Sequence, residues 1–201
     1  MSDQAGKLPM AQTARVRMSG QELGPFFREI SKRHDAEDVV FLCIRTDRST
    51  GDALGPLTGS RLLEYGFPLV IGTLQEPCDA GNLETRLKEI PEGKIMIAID
   101  ACLGQPSSVG FFYTMEGPLT PAASVGGKLP AVGQYSVAAV VNVHGPKPYW
   151  TLQVTSLYQV MQMAEQIASQ AASALGRETF VSTGDFWFNY RAFFYKMWVS
   201  G

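Results

Sequence analysis

A chain of 201 residues has the length of one ordinary domain. Hydrophobic residues make up 45% and charged residues 18%, which is enough apolar material for a real core and too little charge for a disordered chain. Lys and Arg number 17 against 19 Asp and Glu, a net charge of −2 with no polybasic run, and this excludes nucleic acid as a partner held by bulk charge.

Residues 1–18 are polar, lack the apolar centre of a signal peptide and read as a flexible N-terminal arm. No stretch reaches the ~18 consecutive apolar residues of a membrane span. The three cysteines, Cys43, Cys78 and Cys102, are widely spaced with no CxxC, the usage of reduced thiols in a cytoplasmic protein. Residues 19–22 (SGQE) have the form of a capping box, and Leu23, Phe26, Phe27 and Ile30 follow on one helical face, ending near His34 and Asp35. Residues 38–44 (DVVFLCI) are a short apolar run rich in β-branched side chains, the mark of a strand buried on both faces. A polar loop over residues 45–52 leads to a helix from Pro56 to Gly66 carrying Leu57, Leu62 and Leu63, and residues 67–71 form the next strand. Asn82 caps a helix with Leu83, Leu87 and Ile90 that Pro91 ends.

Three further strands are expected over residues 94–100 (KIMIAID), 109–115 and 135–143. Between the last two lies a Gly/Pro-rich loop with Gly126, Gly127 and Lys128, read as a flexible connection. One long helix follows Pro148, with Leu157, Val160, Met161, Ala164, Ile167, Ala168, Ala171 and Leu175 on its apolar face and Gly176 at its end. Strands alternating with helices give an α/β fold with a largely parallel sheet, in which sites form beyond the carboxyl ends of the strands. Residues 19–176 are thus one α/β domain. Residues 177–201 are a C-terminal extension with nine aromatic side chains between positions 180 and 198, suited to docking or to self-association as a homo-oligomer.

Two carboxylates fall at such strand ends. Asp52 follows the first loop and Asp100 is the last residue of KIMIAID. Side by side, two carboxylates share a proton, hold a water or bind a metal, whereas singly they cap helices or close turns. Asp47 orients Arg48 or closes an Asx-turn. His144 ends the last strand and projects toward the same edge if that strand is parallel. Ser49 and Thr50 have no paired base, and the loop is neither G-x-S-x-G nor a Walker loop. Cys102 stands two residues from Asp100, whose charge raises a thiol pKa and opposes a thiolate nucleophile.

Residues 46–56 (TDRSTGDALGP), 98–104 (AIDACLG), 127–130 (GKLP) and 141–143 (VNV), in this order, resemble the sporulation protein YyaC family over about residues 39–176. That family is described as candidate spore proteases and is similar to the germination protease and, more distantly, to hydrogenase maturation proteases. The resemblance implies a three-layer α/β/α fold of phosphorylase/hydrolase type. It also implies a catalytic aspartate pair at Asp52 and Asp100, with Asp47, Arg48, Ser49, Thr50 and Gly51 meeting a protein or peptide substrate. Location in the cytoplasm of the forespore or spore core follows from the same source.

No cofactor is expected on this reading. The maturation proteases suggest an alternative, a nickel or zinc ion on Asp52, Asp100 and His144; a third reading is a non-catalytic peptide-binding protein on the same fold. The sequence departs from the family at Arg45, where a glycine is usual. A long cation there is placed to contact a substrate carboxylate or to obstruct the loop.

Overall fold

Short runs of β-branched and small apolar residues set the centre of the molecule, and helices with one apolar face close over them. A computed structural model describes residues 14–121 and 129–177. In chain order these form β1 (Val16–Met18), α1 (Leu23–Ser31), β2 (Val39–Cys43), α2 (Leu54–Glu64), β3 (Val70–Ile71), α3 (Leu83–Lys88) and β4 (Ile95–Gly104). Then come β5 (Phe112–Glu116), β6 (Tyr135–Val143), α4 (Pro148–Gln153) and α5 (Leu157–Ala174). The strands make one sheet in the order β1-β5-β6-β4-β2-β3. Its β3, β2, β4 and β6 are mutually parallel, while β5 runs antiparallel to β6 and β1 antiparallel to β5.

Alternation along the strands divides the interior into two cores. Val39, Phe41 and Cys43 of β2 face α1, α2 and α5, where Phe27, Leu62 and Ile167 are fully buried with them. Leu42 and Ile44 face the other side, under Leu83 of α3, Leu119 and Val132. The result is the three-layer α/β/α arrangement with a largely parallel sheet, as expected.

Several boundaries differ from the sequence reading. Val16–Met18, within the segment read as an arm, pairs with β5 as an edge strand, and Arg17 stacks on the Phe111 ring at 3.7 Å. The strand expected over residues 67–71 is paired only at Val70 and Ile71, because Phe67 still donates to Leu62 O at the end of α2. The strand expected to end at Asp100 runs on to Gly104, since β6 continues alongside it. The helix after Pro148 is two helices. They part at Thr155 and Ser156, where the Ser156 side chain accepts from Gln159 N–H as an N-cap. That break rotates the apolar face: Leu157 and Met161 are exposed, and Met163 and Ala172 are buried in their stead. Gly126, Gly127, Lys128 and the aromatic segment after Arg177 lie outside the described residues. Among the described residues no helix is long and apolar enough to cross a membrane.

Candidate active site

The sheet reverses its direction of growth between β2 and β4. From β2 the chain passes to β3 on one side and then returns to β4 on the other, which makes the carboxyl end of β2 the switch point where sheets of this kind form a crevice. The β2–β4 ladder stops at the pairing of Cys43 with Ile99, so Asp100 is the first residue of β4 to stand clear of β2. It stays inside the sheet on its other side, opposite Ala138 of β6.

Asp52 reaches the same crevice from the loop before α2. That loop is pinned to α4: Gly51 N–H donates to Leu152 O at 2.9 Å and the Thr50 hydroxyl to Gln153 O at 3.3 Å. Within it the Ser49 hydroxyl donates to Asp52 Oδ2 at 2.7 Å. Helix α2 sits close on the strand end because Gly55 and Gly59 have no side chain. A Cβ at Gly55 would overlap the Ile44 carbonyl oxygen, and one at Gly59 the Gly72 carbonyl oxygen.

Arg45, the second residue after β2, joins the two acids. Its Nε donates to Asp100 Oδ1 at 2.8 Å, its Nη2 lies 3.5 Å from Asp100 Oδ2, and its Nη1 lies 3.4 Å from Asp52 Oδ1. The three side chains are 12%, 8% and 16% exposed for Arg45, Asp100 and Asp52, so little water screens them. Asp100 and Asp52 raise the Arg45 pKa above its ordinary value against the opposing effect of burial. Among the described residues no group donates a hydrogen bond to Asp52 Oδ1, which is buried. Arg45 also has φ of 112°, a backbone conformation open to glycine and rare for other residues, which costs of order 1–3 kcal/mol. Its N–H is anchored to Cys78 O at 2.7 Å.

Asp52 and Asp100 therefore lie against one guanidinium, with Ser49 bonded to Asp52. Asp47 and Arg48 lie exposed at the outer turn of the loop, and Thr50 and Gly51 serve to fix it. Cys102 is pushed up to about 11, first by burial and then by the Asp100 charge, in line with its reading as no nucleophile. Arg45 was expected to face a substrate carboxylate or obstruct the loop; it instead engages the chain's own carboxylates. No signal in the bare sequence reveals this, since the side chain is aimed by a positive φ.

The alternative metal site of Asp52, Asp100 and His144 is not assembled. Val143 pairs with Gly104, four residues beyond Asp100, a distance of ~13 Å at about 3.3 Å per residue, and His144 is exposed one residue farther on. Among the described residues no three His, Cys, Asp or Glu side chains group to hold a metal ion. A guanidinium against both carboxylates adds like charge where nickel or zinc would sit, so these donors do not fit such an ion.

Beside the crevice, α4 and the first turns of α5 expose Tyr149 and Trp150 (62% each) and Tyr158 (73%), with Val154, Leu157 and Met161. Neither the aromatic pair on α4 nor its attachment to the Asp52 loop is evident from periodicity, because both depend on the break at Thr155 and Ser156.

Residues 17–170 match the family described as "Protein of unknown function (DUF1256)". The chain is 44% identical over 135 residues to a Bacillus subtilis (strain 168) protein, "Uncharacterized protein YyaC". That match covers 65% of this chain and 66% of the relative, just short of two thirds of its length. Among solved structures, a [NiFe] hydrogenase maturation protease, HycI, from Thermococcus kodakarensis KOD1 is similar with a TM-score of 0.47 and 18% identity. The likeness covers 69% of this chain and 92% of that one, and bears on neither chemistry nor substrate.

Proposed function

This chain belongs to the DUF1256 family of proteins of unknown function, and from its acidic crevice we propose that it is a peptidase working through Asp52 and Asp100. The observation that carries this reading is the convergence of two nearly buried carboxylates on one guanidinium at the sheet's switch point. A carboxylate at that sheet edge is the kind of group that can accept a water proton. The Asp52 carboxylate takes a proton from a water as the water oxygen adds to the peptide carbon, and the proton returns to the leaving nitrogen as the C–N bond breaks. Asp100 is the second carboxylate of the pair, fixed by the same guanidinium.

The exposed aromatic face on α4 and α5 supports a protein substrate lying across the crevice mouth. A role in spore formation or germination rests on the resemblance of the TDRSTGDALGP segment to the YyaC family. Binding without cleavage is the second reading, favoured by the same exposed face.

The test is cleavage of small acid-soluble spore proteins by the wild type, Asp52→Asn and Asp100→Asn, each with and without a chelator, with fragments identified by mass. Each substitution is expected to lower kcat at least 10²-fold, within the range for a general base, and chelation to leave the wild type unchanged. Near-normal turnover in both variants sinks the mechanism. Stable retention of an uncut substrate by the wild type transfers the case to the binding reading.

A further inference from the structure

Arg45 combines two features that seldom occur together. Its backbone adopts a φ of 112°, where a side chain is a liability, and its side chain is nonetheless buried against two carboxylates from separate elements. A residue persists in such a conformation only where its surroundings over-determine it. Here the surroundings are identifiable: the N–H bonded to Cys78 O, the two-point contact with Asp100, and Nη1 beside Asp52. Cys102 stands next to this group on β4 as a neutral thiol.

Taking the guanidinium away would leave two nearly buried carboxylates without that charge, and among the described residues Asp52 Oδ1 already lacks a hydrogen-bond donor. Lysine would keep the charge. It would lose the planar fork that meets Asp100 at two points and Asp52 at a third.

We propose that Arg45 is a positioning residue, the built-in cation that holds Asp52 and Asp100 side by side in the crevice. The proposal deepens the peptidase reading by naming what sets the geometry of its acid pair. Its test reads stability and not cleavage, so the two ideas fail separately.

Thermal unfolding at pH 7 is compared for the wild type, Arg45→Gly, Arg45→Lys and the triple variant Arg45→Gly/Asp52→Asn/Asp100→Asn. Glycine suits the φ of 112°, so a purely conformational role makes Arg45→Gly as stable as the wild type or more so. The expected result is a fall in Tm of roughly 5–10 °C for Arg45→Gly, a smaller fall for Arg45→Lys, and recovery in the triple variant. Methylguanidinium chloride at millimolar concentration, against equal sodium chloride, raises the Tm of Arg45→Gly and leaves the wild type and triple variant unchanged. If Arg45→Gly does not fold unaided, the yield of folded protein with and without methylguanidinium gives the same readout. An Arg45→Gly Tm at or above the wild type, or a loss that methylguanidinium does not repair, overturns the proposal.

Discussion

Ser49 is 5% exposed and its hydroxyl gives Asp52 Oδ2 a hydrogen bond of 2.7 Å, while Oδ1 accepts none among the described residues. A hydrogen bond to a charged group contributes about 1.5–3 kcal/mol, and its loss here has no ready substitute. Ser49→Ala is therefore expected to destabilise the fold by roughly 1–3 kcal/mol in urea unfolding, and to lower kcat more than it raises KM. An unchanged midpoint and unchanged kcat would remove Ser49 from the site. At this scale the two aspartates were legible, because their spacing from apolar runs placed them at strand ends. Arg45 was not legible as their partner. Its direction depends on a backbone angle that sequence does not encode outside glycine.

Helix α2 is held to the sheet by the absence of atoms at Gly55 and Gly59. Alanine gains about 1 kcal/mol over glycine in helix propensity, whereas a Cβ at position 55 meets the Ile44 carbonyl oxygen, a backbone atom that has no rotamer to retreat into. Overpacking of this kind costs typically 1–3 kcal/mol, so the steric effect wins. Gly55→Ala is expected to lower stability by roughly 1–2 kcal/mol net and to lower activity as well, because α2 carries the Asp52 loop at its start. A variant more stable than the wild type would mean that α2 has freedom to retreat from β2.

Most elements were legible from the apolar pattern, since α1 and α5 each bury one face and β2 is buried on both. What sequence missed were interruptions and extensions. The end of β4 is decided by its neighbour β6, and the split between α4 and α5 by a local Ser156 cap that competes with a continuous apolar pattern.

For the whole molecule, burial of the thiols links stability to alkaline pH. Cys78 and Cys102 are pushed up to about 11 by burial, and Cys43 is raised further. Below about pH 8.5 both folded and unfolded chains hold these protons and the contribution is fully present. Above it the unfolded chain releases protons first, so stability falls until the folded-state value near 11 is passed. Urea unfolding in reductant from pH 7.5 to 10.5 is expected to show a declining midpoint, and Cys78→Ala a shallower decline. A flat profile would contradict the burial of the thiols.

The sequence by itself determined the layers of this protein. Buried strands and one-faced helices follow from the local order of apolar side chains, and the family motif marked Asp52 and Asp100. Only the tertiary structure decided that β1 closes the sheet edge, that His144 stands apart from the acids, and that Arg45 joins them. Those outcomes depend on which strands lie side by side and where each ladder ends. Such non-local pairings have no signature in neighbouring residues.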